Sequence, residues 1–291
     1  MRFLTADYLY PLHTDPLKGG VLQISDTGVV ISVFKDRKGI SKEKLEVFEG
    51  ILCPGFVNAH CHLELSHLEG MAKKRQGLLN FISVIQKRNN FQKDEILSAI
   101  EFAERQMIKN GIVGVGDICN TTDTLFQKQK ANLQYYNFIE VFGVQDTNAN
   151  EIIDNAKDLR SLFSKRGLNS TISPHSPYSV SKKLMQEIRR NFNTKDELLS
   201  IHIQESPEEN ELFENKKGGF FCWLKEINAS SDIWEHRNKS IDILNELGDK
   251  KTLLVHNTFS RKQDITDNFY CTCPTANLYI ENSLPDYSIF N

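Results

Sequence analysis

The sequence contains no basic tail, no long apolar run and no glycine-rich phosphate loop. Each absence excludes a class of function. Lys and Arg number 35 against 38 Asp and Glu, a formal net charge of -3. A nucleic-acid binder would carry a clustered basic face, so no nucleic acid polymer is expected as a partner. No window reaches the roughly 18 consecutive apolar residues of a membrane span, so no membrane association is expected. Met1-Arg2 leads into FLTADYLYPL, without the clustered basic region and apolar core of a secretory signal. The expectation is a cytoplasmic protein. The six cysteines, Cys53, Cys61, Cys119, Cys222, Cys271 and Cys273, have no zinc-knuckle spacing. The chain is too long to need disulfide staples, so they read as reduced thiols. Cys271 and Cys273 are separated by one residue rather than two, in a strand-like run, which argues against a redox pair.

What is present is an ordered alternation. Residues 1–50 read as a small β unit, with FLTADYLY, GVLQISD and GVVISVF separated by Pro, Gly and Asp turns. From residue 51 to residue 291 the texture changes. Strand-like runs ILCPGFVNA, IVGVGDI, LQYYNFIEVF, NSTISP, LLSIHIQ, KTLLVHN and FYCTCP alternate with helical patterns. The helical patterns are LLNFISVIQK, KDEILSAIEFAERQMIKN, EIIDNAKDLRSLFSK, KKLMQEIRRNF and SIDILNELG. In the second of these, Ile96, Ile100, Ala103 and Met107 recur at helical spacing. Such βα alternation argues for an α/β fold with parallel strands. An open doubly wound sheet would show a phosphate loop after its first strand; here that strand ends in His-Cys-His. We therefore expect a TIM-like (β/α)8 barrel, with catalytic groups at the carboxyl ends of its strands.

The chemistry-bearing residues fall at those ends. In PGFVNAHCHLEL, His60 and His62 are two apart, so a strand would turn both imidazoles to one side and Cys61 to the other. His202, in SIHIQES, ends another strand and offers a third imidazole suited to zinc. Glu205 follows three residues later. It reads either as a helix-start carboxylate or as a general acid-base group beside a metal-activated water. His256 closes the apolar run LLVH, where it could hydrogen-bond the attacking water or polarise an oxyanion. His175, before Ser179 and Ser181, reads as a substrate contact, with a satisfied buried histidine as the plainer alternative; either serine could cap the following helix. His67 either touches substrate or only orders its loop. His13 and His236 carry no clear role, Phe81 and Trp223 read as packing residues, and Asp117 and Glu140 as structural ties at the rim.

Taken together, PGFVNAHCHLELSHLEG, KNGIVGVGD, ISPHSPYSVS, SIHIQES, LLVHN and CPTAN resemble the amidohydrolase superfamily. The branch most similar is that of the cytosine, guanine and adenosine-type deaminases and the triazine chlorohydrolases. The resemblance implies a (β/α)8 barrel with a small β-sandwich. It implies His60, His62 and His202 as metal ligands, Glu205 as proton shuttle, His175 as a substrate histidine and His256 as the histidine facing the attacking water. Asn277 resembles a substrate-contacting residue at the pocket rim. One divalent ion is implied, zinc first and Fe2+ as the alternative, because NSTISPH has no lysine to bridge two metals. The implied activity is hydrolytic deamination of a small heteroaromatic amine: a purine, an adenosine-like nucleoside or a pyrimidine. A triazine or cyclic-amide hydrolase would share the same residues, and a non-catalytic binding module is the alternative of a different kind.

The family pattern places an aspartate after an eighth strand. Asp286 in SLPDYSIFN does not match that motif. The barrel is thus expected to be incomplete at its C-terminal end, and the natural protein to extend past Asn291 by at least one strand carrying that aspartate. A homodimer is the other way to cover the open edge.

Overall fold

The computed structural model describes residues 1–191 and 197–290. The chain separates into two compact units, Met1–Phe56 and Val57–Asn291.

The first unit is all β. Strands β1 (Arg2–Thr5), β2 (Tyr8–Leu9), β3 (Leu17–Lys18), β4 (Val21–Ile24), β5 (Val30–Phe34), β6 (Leu45–Val47) and β7 (Ile51–Leu52) form two sheets. Their orders are β5-β4-β1-β6 and β3-β2-β7. Ala6, Leu9, Val21 and Ile24 are its buried apolar residues. The run ILCPGFVNA, expected as one strand, is two. Ile51 and Leu52 pair with β2, and a new strand starts only after Pro54-Gly55, where proline supplies no ladder donor.

The second unit alternates strands and helices. Its strands are β8 (Phe56–Cys61), β9 (Ile112–Cys119), β10 (Gln134–Val141), β11 (Ser170–Pro174), β12 (Leu199–Ile203), β13 (Thr252–His256) and β14 (Phe269–Cys271). They run in barrel order as two sheets, β8-β9-β10-β11 and β12-β13-β14. The ladders between β9, β10 and β11, and between β12, β13 and β14, are parallel. β11 and β12 meet through single contacts, the His202 amide donating to the His175 carbonyl at 2.9 Å and the Ser200 amide to Ser173 Oγ at 3.3 Å. No closed ring of strands forms among the described residues.

The helices are α1 (Leu78–Ile85), α2 (Lys93–Lys109), α3 (Leu125–Gln129), α4 (Ala149–Ser164), α5 (Lys182–Arg190), α6 (Pro207–Asn215), α7 (Gly219–Glu226), α8 (Asp232–Glu235), α9 (Leu244–Leu247) and α10 (Pro274–Ile280). The last residue of the expected helix KKLMQEIRRNF, Phe192, lies outside the described residues. α2 starts in a capping box, with Gln92 and Glu95 satisfying each other's amides, and ends before Gly111 at φ +79°. α5 is capped by Ser181, whose Oγ accepts from the Leu184 amide. Among the described residues no helix is long and apolar enough to cross a membrane. The helices α3, α7, α8 and α10 have no counterpart among the expected helices.

Strand alternation determines what faces the site. On β12, Leu199, Ile201 and Ile203 join a core with Ile153 and Phe163 of α4 and Leu184 of α5. Ser200 and His202 therefore occupy the opposite face. On β13, Leu254 joins that same core, whereas Leu253 and Val255 pack with Ile118 and Phe138 in a separate inner cluster. Phe81 and Trp223 are partly buried against a third cluster built on α6, α7 and α8, consistent with packing roles.

One buried ion pair fastens the first strands. Lys128 Nζ, fully buried on α3, sits 2.5 Å from Asp117 Oδ2 and 2.7 Å from Asn137 Oδ1. Burial is the largest single influence and lowers the lysine pKa, but the charges and hydrogen bonds of Asp117 and Cys119 together outweigh it and hold the group raised. Substituting Lys128→Met strands the Asp117 charge in the interior. It should cost about 3–5 kcal/mol of stability, read as a lower urea midpoint at unchanged slope. A loss below about 1 kcal/mol would contradict the pairing.

Candidate active site

β8 brings His60 to the mouth of the second unit, and His62 opens the 3-10 turn Leu63–Leu68 that follows. Two carboxylates hold that turn. Asp117 Oδ1 accepts the Leu63 amide at 2.8 Å, and Glu64 accepts the amides of Asn120 and Thr121 at 3.1 and 3.0 Å. Asp117 thus ties the loop, as expected. The burial of Glu64 has no signal in the sequence. Cys61 packs on the other side, beside Asp117 and Lys128, where burial pushes its thiol pKa up.

His202 completes a cluster. The His60 ring lies 4.9 Å from His62 and 4.7 Å from His202 between centroids, and His62 Nε2 is 3.1 Å from His202 Nε2. One ring nitrogen from each of the three lies within 4.8 Å of the others. The backbone fixes the tautomer of His202. Its Nδ1 is 2.9 Å from the His175 carbonyl oxygen, which can only accept, so Nδ1 carries the proton. In the neutral ring Nε2 then presents a lone pair to His62. Burial first, and the neighbouring rings second, hold His60 and His62 well below the usual imidazole pKa. Burial lowers His202 to about 4. His60 Nδ1 is buried without a hydrogen-bond partner.

Three neutral imidazoles with a lone pair aimed inward and an orphaned buried nitrogen are a donor set for a divalent cation. Two nitrogens on a tetrahedral zinc ion stand roughly 3.3 Å apart, near the separation of His62 from His202. The residues present therefore fit a metal.

His256 reaches the same place against the alternation of its strand. It has the parity of Leu254, which faces the outer core, yet its ring stacks on His202 at 5.5 Å. The backbone turn explains this: His256 has φ +75° and Asn257 φ +52°. Asn257 stabilises the turn, its Nδ2 donating to the Leu254 carbonyl at 2.7 Å. Nδ1 of His256 is 2.8 Å from Asn277 Oδ1, which accepts its proton. Nε2 is left as an acceptor, 3.4 Å from Glu205 Oε1. Burial lowers the ring to about 4, so this contact joins a neutral imidazole to a carboxyl and is not an ion pair.

Glu205 is 6% exposed, and burial pushes its carboxyl up to about 7, partly offset by His202. Its backbone is held from α6: Glu209 accepts the amides of Gln204 and Glu205 at 2.8 and 3.1 Å. The sequence signal for Glu209 is Ser206-Pro-Glu-Glu, a capping-box pattern whose glutamate here reaches past the cap residue. His175 is bonded through Nδ1 to Ser179 Oγ at 2.7 Å and lies 4.8 Å from the His202 ring.

Six of the expected residues therefore meet: His60, His62, His175, His202, Glu205 and His256. Asn277 is placed behind His256 rather than at a rim. It is 2% exposed because CPTAN is the first turn of α10, with Pro274 at its start. His67 stands apart, its Nε2 on the Arg88 carbonyl at 3.1 Å and its ring against Phe91. It orders the turn. Glu140, expected to be a structural tie, has Oε1 3.5 Å from His202 Nδ1.

With this geometry in hand, comparison with known proteins gives a consistent answer. The profile of the Amidohydrolase family matches residues 51–287. An adenosine deaminase of Helicobacter pylori is 27% identical over 84% of this chain and 61% of its own length. The chain spans about three-fifths of the length of the first curated relatives it matches. Among solved structures, Helicobacter pylori aminofutalosine deaminase in complex with methylthio-coformycin superposes with a TM-score of 0.81 at 22% identity, covering 99% of this chain and 74% of that one. An atrazine chlorohydrolase mutant from Arthrobacter aurescens, complexed with zinc and atraton, gives 0.66 at 12% identity over 91% and 62%. These likenesses identify the fold.

The His256 turn generates a stability test. Asn257→Gly loses a hydrogen bond but tolerates the left-handed backbone, at a cost of about 1 kcal/mol. Asn257→Ala loses the bond and strains the backbone, for a total of about 2 kcal/mol. Chemical denaturation should rank alanine below glycine, and the reverse order would contradict the turn.

Proposed function

The chain belongs to the amidohydrolase family, and on that footing we propose that it acts as a metal-dependent aminohydrolase, deaminating an adenosine-like nucleoside with release of ammonia. The observation that carries the reading is Glu205: a buried carboxyl at the edge of three converging imidazoles, in contact with His256. The adenosine deaminase relative supports the substrate class.

His60, His62 and His202 would hold one divalent ion, for which zinc is the best match to three neutral imidazoles. Such an ion supplies Lewis acidity that brings the pKa of water toward neutrality. The remaining work falls to side chains of this chain. Glu205 takes one proton from the attacking water and delivers it to the substrate ring nitrogen, then carries the second, from the newly formed hydroxyl, to the amine, which departs as ammonia. A carboxyl pushed up to about 7 is suited to both halves of that transfer near neutral pH. His256, with Nδ1 committed to Asn277, offers Nε2 as an acceptor, so it orients a water hydrogen. It does not donate to an oxyanion in that tautomer. His175, with Nδ1 held by Ser179, has Nε2 available to contact substrate.

The test is ammonia release by the full chain, supplied with zinc, across a panel of adenosine, deoxyadenosine, guanine, cytosine and a chlorotriazine. The expected result is turnover of an adenosine-like member. In Glu205→Gln, zinc content should be retained while kcat falls on the order of 100-fold or more, because an amide cannot accept and return the proton. Chloride release from the triazine would reassign the leaving group. Saturable nucleoside binding without turnover would make the chain a binding module.

A further inference from the structure

Glu140 is a buried acid that the proposed reaction does not use. It sits at the carboxyl end of β10, opposite Ser173 in the ladder with β11. The residue is 8% exposed, and its Oε1 has no hydrogen-bond partner. Among the described residues Asn120 is the side-chain donor to its carboxyl, with Nδ2 3.5 Å from Oε2 and 3.0 Å from the Glu140 carbonyl oxygen. A buried, poorly satisfied carboxyl is costly to keep. Its free oxygen points at one atom, Nδ1 of His202, 3.5 Å away.

We propose that Glu140 is a positioning residue for His202, steadying its imidazole from the Nδ1 edge so that Nε2 stays turned toward His62 and the candidate metal. The proposal rests on the reading of His202 as a ligand. The two edges of this ring face different partners. Nε2 meets His62 at 3.1 Å, while Nδ1–H goes to the His175 carbonyl oxygen at 2.9 Å with Glu140 Oε1 standing beside it at 3.5 Å. The carbonyl fixes the tautomer. The carboxyl sets an acceptor oxygen beside the edge away from the metal, which makes the opposite nitrogen a better donor to a cation. Glu140, His175 and His202 also lie close enough to suggest a second ion. The His202 nitrogen on the Glu140 side is already protonated and given to a carbonyl, however, so it has no lone pair for a second ion.

Zinc affinity of the full chain, stripped by chelator and titrated against a chromophoric competitor, tests this without any substrate. Glu140→Leu and Glu140→Asp should each weaken zinc binding by about 10- to 100-fold, the first by removing the acceptor and the second by withdrawing it. Glu140→Gln keeps an acceptor oxygen and should stay within about threefold of the parent. The visible spectrum of the cobalt-loaded protein should change in the first two variants and not in the third. Thermal unfolding of the metal-free forms identifies any variant that does not fold, and Glu140→Asp, the smallest change, then decides. Parent-like affinity in Glu140→Asp or Glu140→Leu overturns the proposal. So does a Gln variant as weak as the Leu variant, or a parent that takes up two zinc ions. A parent that binds no zinc would instead remove the metal reading on which the proposal stands.

Discussion

The 3.1 Å approach of His62 Nε2 to His202 Nε2 is the contact on which the rest of the site depends. Because His202 spends its proton on the His175 carbonyl, a lone pair is directed at His62. A neutral His62 can meet that lone pair with its own Nε2–H, or, in the other tautomer, offer a second lone pair to a cation held between the rings. Burial disfavours a charged imidazolium anywhere in the group. The second arrangement is the one a divalent ion would use, and the orphaned nitrogen on His60 points the same way.

The surrounding carboxyls make sense in those terms. Glu140 and Glu205 are buried beside these rings and pushed upward by burial, to about 8 and about 7. Among the described residues neither forms an ion pair with a lysine or arginine. Asp117, by contrast, has Lys128, and its task is mechanical, fixing the amide that follows His62. The site thus combines one permanently compensated acid that shapes a loop with acids whose compensation would come from the bound ion.

Much of this was legible in the sequence. The run SIHI shows its strand and its facing, because apolar residues alternate with Ser200 and His202. The His-x-His pair, Glu205 and His175 were legible from strand-end position and from motif order. What stayed hidden depends on tertiary context. His256 has outward parity, and only the left-handed turn at Asn257 returns it to the site. Asn277 looked like loop because CPTAN follows a strand-like run without a helical apolar repeat. Lys128, in a polar stretch between Phe126 and Leu133, resembles a solvated lysine until Asp117 is placed beside it. Glu140 stands out only as a strand-end acid, since its environment is made by Asn120 after β9 and His202 on β12.

The central claim is that three imidazoles from two distant strands serve one divalent ion. Crystals of the full chain grown with zinc, measured on both sides of the zinc absorption edge, test it most directly. The account predicts a single strong anomalous peak bounded by His60, His62 and His202. A well-ordered structure with no peak there, or with the three rings turned apart, would contradict it.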